Sequence, residues 1–262
     1  MTVLKADNIS INFGGLKAVS NFNFNLEEGE LVGLIGPNGA GKTTIFNMLT
    51  GVYTPSEGKI LFNTNGGLRD ITRLKPYVIT KMGMARTFQN IRLFKDLTVL
   101  DNVRIAFHFN VKYNAFQSIF RTRAFCREEE EVTQNAMTLL KIFNIHQKAG
   151  EYSKNLPYGE QRKLEITRAL ATNPRLLLLD EPAAGMNPQE TQDLMKLIKF
   201  IREKFNLTIL LIEHDMNLVM GICERITVLD YGQTIAEGTP GEISKNPRVI
   251  KAYLGEEVGT SA

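Results

Sequence analysis

The chain has 262 residues, of which 43% are hydrophobic and 23% are charged, and its formal net charge is +3. These values are typical of a folded globular protein and exclude a disordered, low-complexity chain. Because 31 basic residues are balanced by 28 acidic ones, charge alone does not predict binding to nucleic acid. The longest apolar runs, such as 176–179 and 208–212, are far shorter than the roughly 20 residues needed to cross a bilayer.

The N-terminal residues lack the basic stretch, apolar core and small-residue cleavage site of a signal peptide, so we expect no export. Cys126 and Cys223 lie far apart and outside any metal-ligand spacing. We therefore expect both to be buried or free thiols in a reducing cytoplasm, without a chemical role.

Two runs of alternating apolar and polar residues open the chain, at 9–13 and 22–26. This period of two predicts an antiparallel pair of half-buried strands. Residues 30–35 form a short apolar run that leads into a glycine-rich turn and then into helix-forming residues at 42–49. The order of strand, loop and helix is the context in which phosphate-binding loops occur.

The middle of the chain has the periodicity of helices. Apolar residues recur at helical spacing after an acidic run at 128–131, which suits a helix N-terminus; they are Val132, Ala136, Leu139, Leu140 and Phe143. This pattern predicts a helical lobe between the two halves of an α/β core.

The C-terminal half returns to an α/β pattern. Short apolar runs at 176–179 and 207–212 predict strands buried on both faces of a parallel sheet. Between them, Asn187 and Pro188 predict the cap and first position of an amphipathic helix. Residues 226–229 and 233–236 flank Tyr231 and Gly232 as a predicted hairpin.

The glycine-rich turn fits the phosphate-loop (P-loop) pattern of glycine, four residues, then Gly-Lys-Thr. Glycines let backbone N–H groups surround phosphates, and the following helix N-terminus adds positive potential. We expect Lys42 to contact the β- and γ-phosphates of a nucleotide and Thr43 to ligate Mg²⁺. The predicted nucleotide-binding residues of this loop are Gly36, Pro37, Asn38, Gly39, Ala40, Gly41, Lys42, Thr43 and Thr44.

Two adjacent acids follow the predicted strand at 176–179. Ligands of parallel sheets bind at the carboxyl ends of the strands, where these acids lie. We expect Asp180 to hold Mg²⁺, directly or through water, and Glu181 to orient or deprotonate the water that attacks the γ-phosphate.

The order of the motifs resembles that of the ABC transporter ATPases over essentially the whole chain. The series consists of the P-loop, Gln89, the segment 156–161, the acid pair and His214. In that family the segment corresponding to 156–161 is the signature, which usually reads Leu-Ser-Gly-Gly-Gln. The resemblance implies an ABC ATPase fold, in which a P-loop NTPase core carries an N-terminal antiparallel β subdomain and an inserted α-helical subdomain.

The resemblance also implies roles for residues outside the P-loop. Gln89 would sense the γ-phosphate and the metal while coupling to a permease, and His214 would contact the γ-phosphate. Phe13 would stack on adenine, and residues 184–187 would communicate across a dimer. The signature would contact the nucleotide held by the opposite subunit, through Tyr158, Gly159 and Glu160.

The signature departs from the family pattern at three positions. Pro157 stands where the family has Ser, Tyr158 where it has the first Gly, and Glu160 where it has Gln. Without the Ser hydroxyl, more of the contact with the γ-phosphate falls to backbone N–H groups at the helix N-terminus. We expect the signature still to recognise the nucleotide of the opposite subunit, but with weaker specificity of contact.

The same departures narrow the resemblance. The Tyr-Gly signature, together with residues 86–90, 181–188, 212–216 and 252–255, is similar to the branched-chain amino-acid importer ATPases. ATPases of urea importers and of lipopolysaccharide exporters share some of these sequence motifs. Urea and lipopolysaccharide therefore remain alternatives for the transported molecule.

The implied function is hydrolysis of ATP with Mg²⁺ by a subunit on the cytoplasmic face of the cell membrane. Its expected partners are permease subunits, a second ATPase subunit in a homodimer or heterodimer, and indirectly a substrate-binding protein, with no nucleic acid. A soluble ABC ATPase acting on DNA or ribosomes is an alternative, but such proteins carry a long coiled-coil insertion or a second cassette. This sequence has one phosphate loop and only a short helical insertion. A non-catalytic ATP-binding module is a further alternative, but the intact Glu181 and His214 argue against it.

The predicted organisation is a single ABC ATPase domain over 1–262. Its β subdomain and the P-loop part of the core occupy 1–92, the helical subdomain 93–158, and the remainder of the core with the C-terminal segment 159–262.

Overall fold

The computed structural model describes residues 1–64, 66–111 and 115–254. Gly255, the last residue of the segments that carry the resemblance, lies outside this range. The strands in chain order are β1 (Thr2–Phe13), β2 (Leu16–Glu27), β3 (Leu31–Ile35), β4 (Glu57–Thr64), β5 (Gly67–Asp70), β6 (Met84–Arg86), β7 (Leu176–Asp180), β8 (Thr208–Ile212), β9 (Arg225–Asp230) and β10 (Gln233–Gly238). The helices are α1 (Lys42–Leu49), α2 (Pro76–Lys81), α3 (Val99–Phe107), α4 (Ala115–Ile119), α5 (Arg123–Ile142), α6 (Tyr158–Leu170), α7 (Pro188–Phe205), α8 (Met216–Ile222), α9 (Pro240–Ile243) and α10 (Pro247–Leu254).

The chain divides into two compact units. The first consists of Met1–Arg86 and the chain from Arg175 onwards, and the second is the continuous segment Thr87–Pro174. This second unit extends further at both ends than the helical subdomain expected at 93–158. At its C-terminal end the difference is α6, which packs against α3 and α5 within the second unit.

A six-stranded sheet in the order β10-β9-β3-β8-β7-β6 forms the centre of the first unit. The strands from β9 to β6 are parallel to their neighbours, and only β10 pairs in the antiparallel sense. Every residue of β3, β7 and β8 is buried, as the predicted strands with continuous apolar runs require. The sheet places the carboxyl ends of these three strands at one edge, where the predicted nucleotide residues follow.

A second, antiparallel sheet of the first unit has the order β2-β1-β4-β5. The predicted pair at the start of the chain is confirmed as β1 and β2, whose register includes Ile9 opposite Phe22 and Ala6 opposite Phe24. The inner face of this sheet is buried through Phe22 and Phe62 in a core that also contains Phe46 of α1.

The second unit contains the predicted helical lobe. The predicted apolar positions Val132, Ala136, Leu139 and Leu140 are buried on α5. The helix begins at Arg123, upstream of the acidic run that was expected to mark its N-terminus. The Thr122 side chain accepts a hydrogen bond from the backbone N–H of Phe125, and this local cap sets the start.

Two local predictions for the first unit are confirmed. Asn187 and Glu190 form a reciprocal capping box at the start of α7, with Pro188 at the first helical position. Tyr231 and Gly232 both have positive φ, 42° and 75°, and connect β9 to β10 as a two-residue hairpin turn. Among the described residues, no helix is both long enough and apolar enough to span a membrane.

Candidate nucleotide-binding site

The P-loop connects β3 to α1 with a backbone that requires glycine. Gly36 has φ 152°, and a Cβ atom there would lie 2.1 Å from the carbonyl oxygen of Leu229. Gly41 is the N-cap of α1 with φ 101° and supplies no side-chain cap. The first-turn N–H groups of a helix have no intrahelical partner, so this end of α1 is suited to an anion.

Lys42 lies folded over its own loop. Its Nζ donates hydrogen bonds to the carbonyl oxygens of Gly36 at 2.7 Å and Pro37 at 2.8 Å. Burial lowers the pKa of Lys42, and the negative charges of Glu181 and Asp180 oppose this shift. The lysine and the two acids are therefore close enough to act electrostatically on one another.

The two acids lie at the carboxyl end of β7, as predicted. Asp180 is its last residue and is buried, and its Oδ2 accepts a hydrogen bond from a guanidinium nitrogen of Arg86 at 2.6 Å. Glu181 has the unusual φ of 45°, while its backbone N–H donates to the carbonyl oxygen of Ile212. Positive φ in a non-glycine residue occurs preferentially at functional sites.

Glu181 and His214 are in direct contact. Nε2 of His214 lies 2.6 Å from Oε1 of Glu181, although the two residues are 33 positions apart in the chain. His214 follows β8, the strand next to β7, and the side chain of Glu181 is the more buried of the two. The structure thus brings together the two residues predicted to act on water and the γ-phosphate.

Glu213 is a buried residue to which the sequence analysis assigned no role. Its carboxylate accepts hydrogen bonds from the backbone N–H groups of Ala183, His214 and Asp215. Burial raises the pKa of Glu213, and these three donors oppose the rise. Glu213 thereby ties the loop after Glu181 to the loop that carries His214. A buried acid between two loops leaves no local sequence pattern that would have revealed it.

Phe13 and the threonines of α1 complete the predicted residues of the first unit. Phe13 ends β1 with an exposed ring, which makes an edge contact with Tyr53 at a centroid distance of 5.3 Å. Thr43 is exposed and Thr44 is partly buried in the first turn of α1. Asn38 and Gly39 form the exposed tip of the loop, and Ala40 is buried beneath it.

The C-terminal helix α10 also contacts the P-loop. Partial burial raises the pKa of the Tyr253 hydroxyl, and an interaction with the backbone of Gly36 opposes the rise. A cavity of about 640 Å³ lies beside this contact, lined by Asn38, Tyr231 and Lys251 among others. Tyr253 belongs to the segment 252–255 that carries part of the resemblance, which implied no role for this residue.

The remaining predicted site residues lie in the second unit. Gln89 is exposed, close to the start of this unit, and its backbone carbonyl oxygen accepts a hydrogen bond from Arg162 at 2.9 Å. Tyr158 and Gly159 are the first two residues of α6, with Pro157 as the N-cap. The Glu160 carboxylate forms an ion pair with Nζ of Lys148 at 2.6 Å.

Arg162 joins these two parts of the second unit. Besides Gln89, its guanidinium donates to the carbonyl oxygen of Phe88 at 2.7 Å and to the hydroxyl of Tyr158 at 3.2 Å. Glu165 pairs with Arg162 at 2.7 Å and accepts the backbone N–H of Phe88 at 3.4 Å. The segment that carries Gln89 is thereby connected to the signature helix.

A P-loop between a parallel strand and a helix, with acids and a histidine following the adjacent strands, defines the class of P-loop nucleoside triphosphatases. Comparison with known proteins narrows this class. Residues 19–184 match the family model described as ABC transporter, and residues 233–259 match the model described as branched-chain amino acid ATP-binding cassette transporter.

Relatives and solved structures agree with these matches. The chain is 48% identical over 254 residues to the high-affinity branched-chain amino acid transport ATP-binding protein LivG of Salmonella typhimurium, covering 97% of this chain and 98% of that protein. The ADP conformation of MJ1267, an ATP-binding cassette of an ABC transporter, is similar with a TM-score of 0.83 and 32% identity, covering 98% of this chain and 100% of that one. A dimeric structure of the ATP-binding cassette MJ0796 bound to ADP and Pi is similar with a TM-score of 0.74 and 27% identity. The match covers 90% of this chain and 98% of that one. The chain therefore belongs to the ABC transporter ATPases.

Proposed function

We propose that this chain hydrolyses ATP at the edge of its six-stranded sheet and thereby drives the import of branched-chain amino acids through a separate permease. The observation that carries the catalytic part is the 2.6 Å contact between Nε2 of His214 and Oε1 of Glu181, beside the P-loop and Lys42. The transport part is supported by the names of the relatives and of the family model that matches residues 233–259.

The P-loop would bind the phosphates of ATP. Its positive-φ glycines and the uncapped N-terminus of α1 present backbone N–H groups, and Lys42 adds a positive charge. The Lys42 ammonium would exchange the carbonyl oxygens of Gly36 and Pro37 for phosphate oxygens. On the adenine side, the exposed ring of Phe13 offers a stacking surface, which Tyr53 supports from its edge.

Glu181 would position the attacking water and accept its proton. Its contact with His214 would hold the carboxylate in one orientation, and His214 would contact the γ-phosphate during its transfer. Glu213 keeps the two loops in register through their backbone N–H groups.

The residues near Asp180 fit Mg²⁺. The exposed Thr43 hydroxyl and the Asp180 carboxylate are oxygen donors, which this ion prefers. Mg²⁺ is commonly bound by one or two carboxylates together with substrate phosphates. When bound, the ion would neutralise charge on the phosphates.

A working assembly would contain two ATPase chains and two permease subunits. Tyr158, Gly159 and Glu160 at the start of α6 would contact the nucleotide of the opposite chain, in accordance with the dimeric state reported for MJ0796. We place the assembly at the cytoplasmic face of the membrane, with a substrate-binding protein on the opposite side. The importer resemblance favours a second, different ATPase chain as the dimer partner.

Replacement of Glu181 by Gln tests the catalytic proposal. In the subunit purified with its permease, Glu181→Gln should lower ATP turnover by at least about 100-fold, because the proton acceptor is lost. The isolated Glu181→Gln subunit should retain ATP binding and accumulate as an ATP-bound dimer on size-exclusion chromatography. Glu203→Gln makes the same chemical change at an exposed position of α7 and should leave turnover unchanged. Wild-type turnover in Glu181→Gln would refute the assignment.

The transport proposal needs a separate measurement. Deletion of the gene from its own organism should abolish high-affinity uptake of radiolabelled leucine, isoleucine and valine while leaving lysine uptake intact. Restoration by the wild-type gene, but not by the Glu181→Gln gene, would link uptake to hydrolysis. Loss of urea uptake with normal leucine uptake would instead support the alternative importer.

A further inference from the structure

Arg86, the last residue of β6, contacts several side chains of the first unit. Its guanidinium donates to the carboxylate of Asp180 at 2.6 Å, the amide oxygen of Asn47 at 2.7 Å and the hydroxyl of Thr50 at 3.3 Å. It also lies 5.5 Å from the ring centroid of Phe46. Phe46 and Asn47 lie on α1, and Thr50 is its C-cap. Arg86 therefore joins the P-loop helix to the strand end that carries Asp180.

The ion pair between Arg86 and Asp180 is buried. The two side chains are only 7% and 4% exposed. A buried pair offsets its desolvation cost only with good geometry and further hydrogen bonds, which Asn47 and Thr50 supply here. The planar fork of arginine can reach a carboxylate on one side and these two oxygens on the other, whereas lysine has a single nitrogen.

The charge balance at this position disfavours a free divalent cation. Asp180 is paired with the positive charge of Arg86, and Lys42 supplies a second positive charge that interacts with both Glu181 and Asp180. A cation arriving alone would be repelled by both. A triphosphate brings several negative charges, which reverse this balance and allow a cation to arrive with the nucleotide.

We propose that Arg86 is a positioning residue that makes divalent-cation binding at Asp180 conditional on nucleotide. The guanidinium occupies the carboxylate and supplies an opposing charge, which the phosphates of a nucleotide would offset. The inference rests on the proposed function, since Asp180 is taken there as a ligand of Mg²⁺.

Binding of Mn²⁺ to the purified, nucleotide-free subunit tests this role, with the free ion quantified by electron paramagnetic resonance. Mn²⁺ accepts the same oxygen ligands as Mg²⁺. Arg86→Gln removes the charge but keeps a side chain that can bond to α1. It should bind one Mn²⁺ at least about tenfold more tightly than wild type, because a charge a few ångströms away no longer repels the ion.

Two further variants assign the effect to its cause. Arg86→Gln combined with Asp180→Asn should lose the gained Mn²⁺ site, which places that site at Asp180. Arg86→Lys keeps the charge and should exclude Mn²⁺ as wild type does, although it loses the forked contact and should melt at a lower temperature. A merely structural role for Arg86 would lower the melting temperature in both single variants without creating a Mn²⁺ site in either.

The unmodified subunit supplies an independent test in case Arg86→Gln does not fold. Without nucleotide, wild type and Asp180→Asn should bind Mn²⁺ with equally weak affinity. If wild type binds the ion at least about tenfold more tightly than Asp180→Asn, Arg86 does not exclude it and the inference is overturned. Unchanged Mn²⁺ affinity in a folded Arg86→Gln variant would overturn it as well. Neither measurement involves turnover, so failure here is distinguishable from failure of the catalytic proposal.

Discussion

Arg162 and Glu165 form an ion pair of 2.7 Å in which the side chains are 0% and 2% exposed. Burial raises the pKa of Glu165, and the charge of Arg162 is the main effect that opposes it. Both residues also bond to the backbone around Gln89, through Phe88 and Arg92. A completely buried pair therefore holds the backbone at the start of the second unit.

Loss of one partner of this pair should destabilise the protein strongly. Arg162→Met leaves the Glu165 carboxylate buried without its opposite charge and should lower the free energy of unfolding by about 3–5 kcal/mol. Urea unfolding followed by circular dichroism measures this change. Arg127→Met is the matched control, because its pair with Glu131 is 84% and 60% exposed and should contribute less than about 1 kcal/mol. Equal losses in the two variants would contradict the importance of burial.

His214→Ala should separate chemistry from binding. The variant loses the contact at 2.6 Å to Glu181, so we expect ATP turnover with the permease to fall by about 100-fold or more. The KM for ATP should change little, because the P-loop and Phe13 remain intact. His108→Ala removes a histidine that pairs with Glu129 in the second unit and serves as the control, with wild-type turnover expected. A large rise in KM at unchanged turnover would assign His214 to binding.

Two glycines of the P-loop should respond differently to the same substitution. At Gly36 an added Cβ would lie 2.1 Å from the carbonyl oxygen of Leu229, whereas at Gly39 no atom lies within 4 Å. Both have positive φ, so Gly39→Ala should cost about 1 kcal/mol of backbone strain. Gly36→Ala adds a backbone clash and should cost about 3 kcal/mol or more. Urea unfolding of the two variants provides the comparison, and equal losses would contradict the close approach of Leu229 to Gly36.

The regular elements and the P-loop follow from patterns that are local in the sequence. Continuous apolar runs predicted β7 and β8, and alternation predicted β1 and β2. The side chains that hold the site together could not be predicted in this way. Arg86 and Asp180 are separated by 94 positions and Arg162 and Phe88 by 74, so only the packed fold reveals these pairs. The predicted start of α5 was also wrong. The side chain of Thr122 caps the helix, so α5 begins at Arg123, upstream of the acidic run.

Tyr253→Phe should weaken nucleotide binding. The change removes only the hydroxyl that interacts with the backbone of Gly36, and a hydrogen bond between the two would contribute about 0.5–1.5 kcal/mol. We expect the Kd for ADP to rise by about two- to tenfold in isothermal titration calorimetry, because the first residue of the P-loop is held less firmly. Tyr77→Phe makes the same change at an exposed position of α2 and should not alter the Kd. An unchanged Kd in Tyr253→Phe would show that α10 does not influence the loop.

The two cysteines should differ in reactivity and in their effect on stability at high pH. Cys126 is exposed and Cys223 is buried, and burial raises the pKa of Cys223 from 9.0 to about 12. At pH 8 a thiol reagent such as DTNB should therefore modify Cys126 rapidly and Cys223 only after unfolding.

Linkage gives the sign of the pH effect. Above pH 9 the unfolded chain releases the Cys223 proton while the folded chain retains it up to about pH 12, so the contribution to stability is complete below pH 9 and is lost as the pH rises. Urea unfolding at pH 8 and pH 10.5 should show a smaller decline in Cys223→Ala than in wild type, whereas Cys126→Ala should decline as wild type does. An identical decline in Cys223→Ala would mean that the folded chain does not protect this thiol from ionisation.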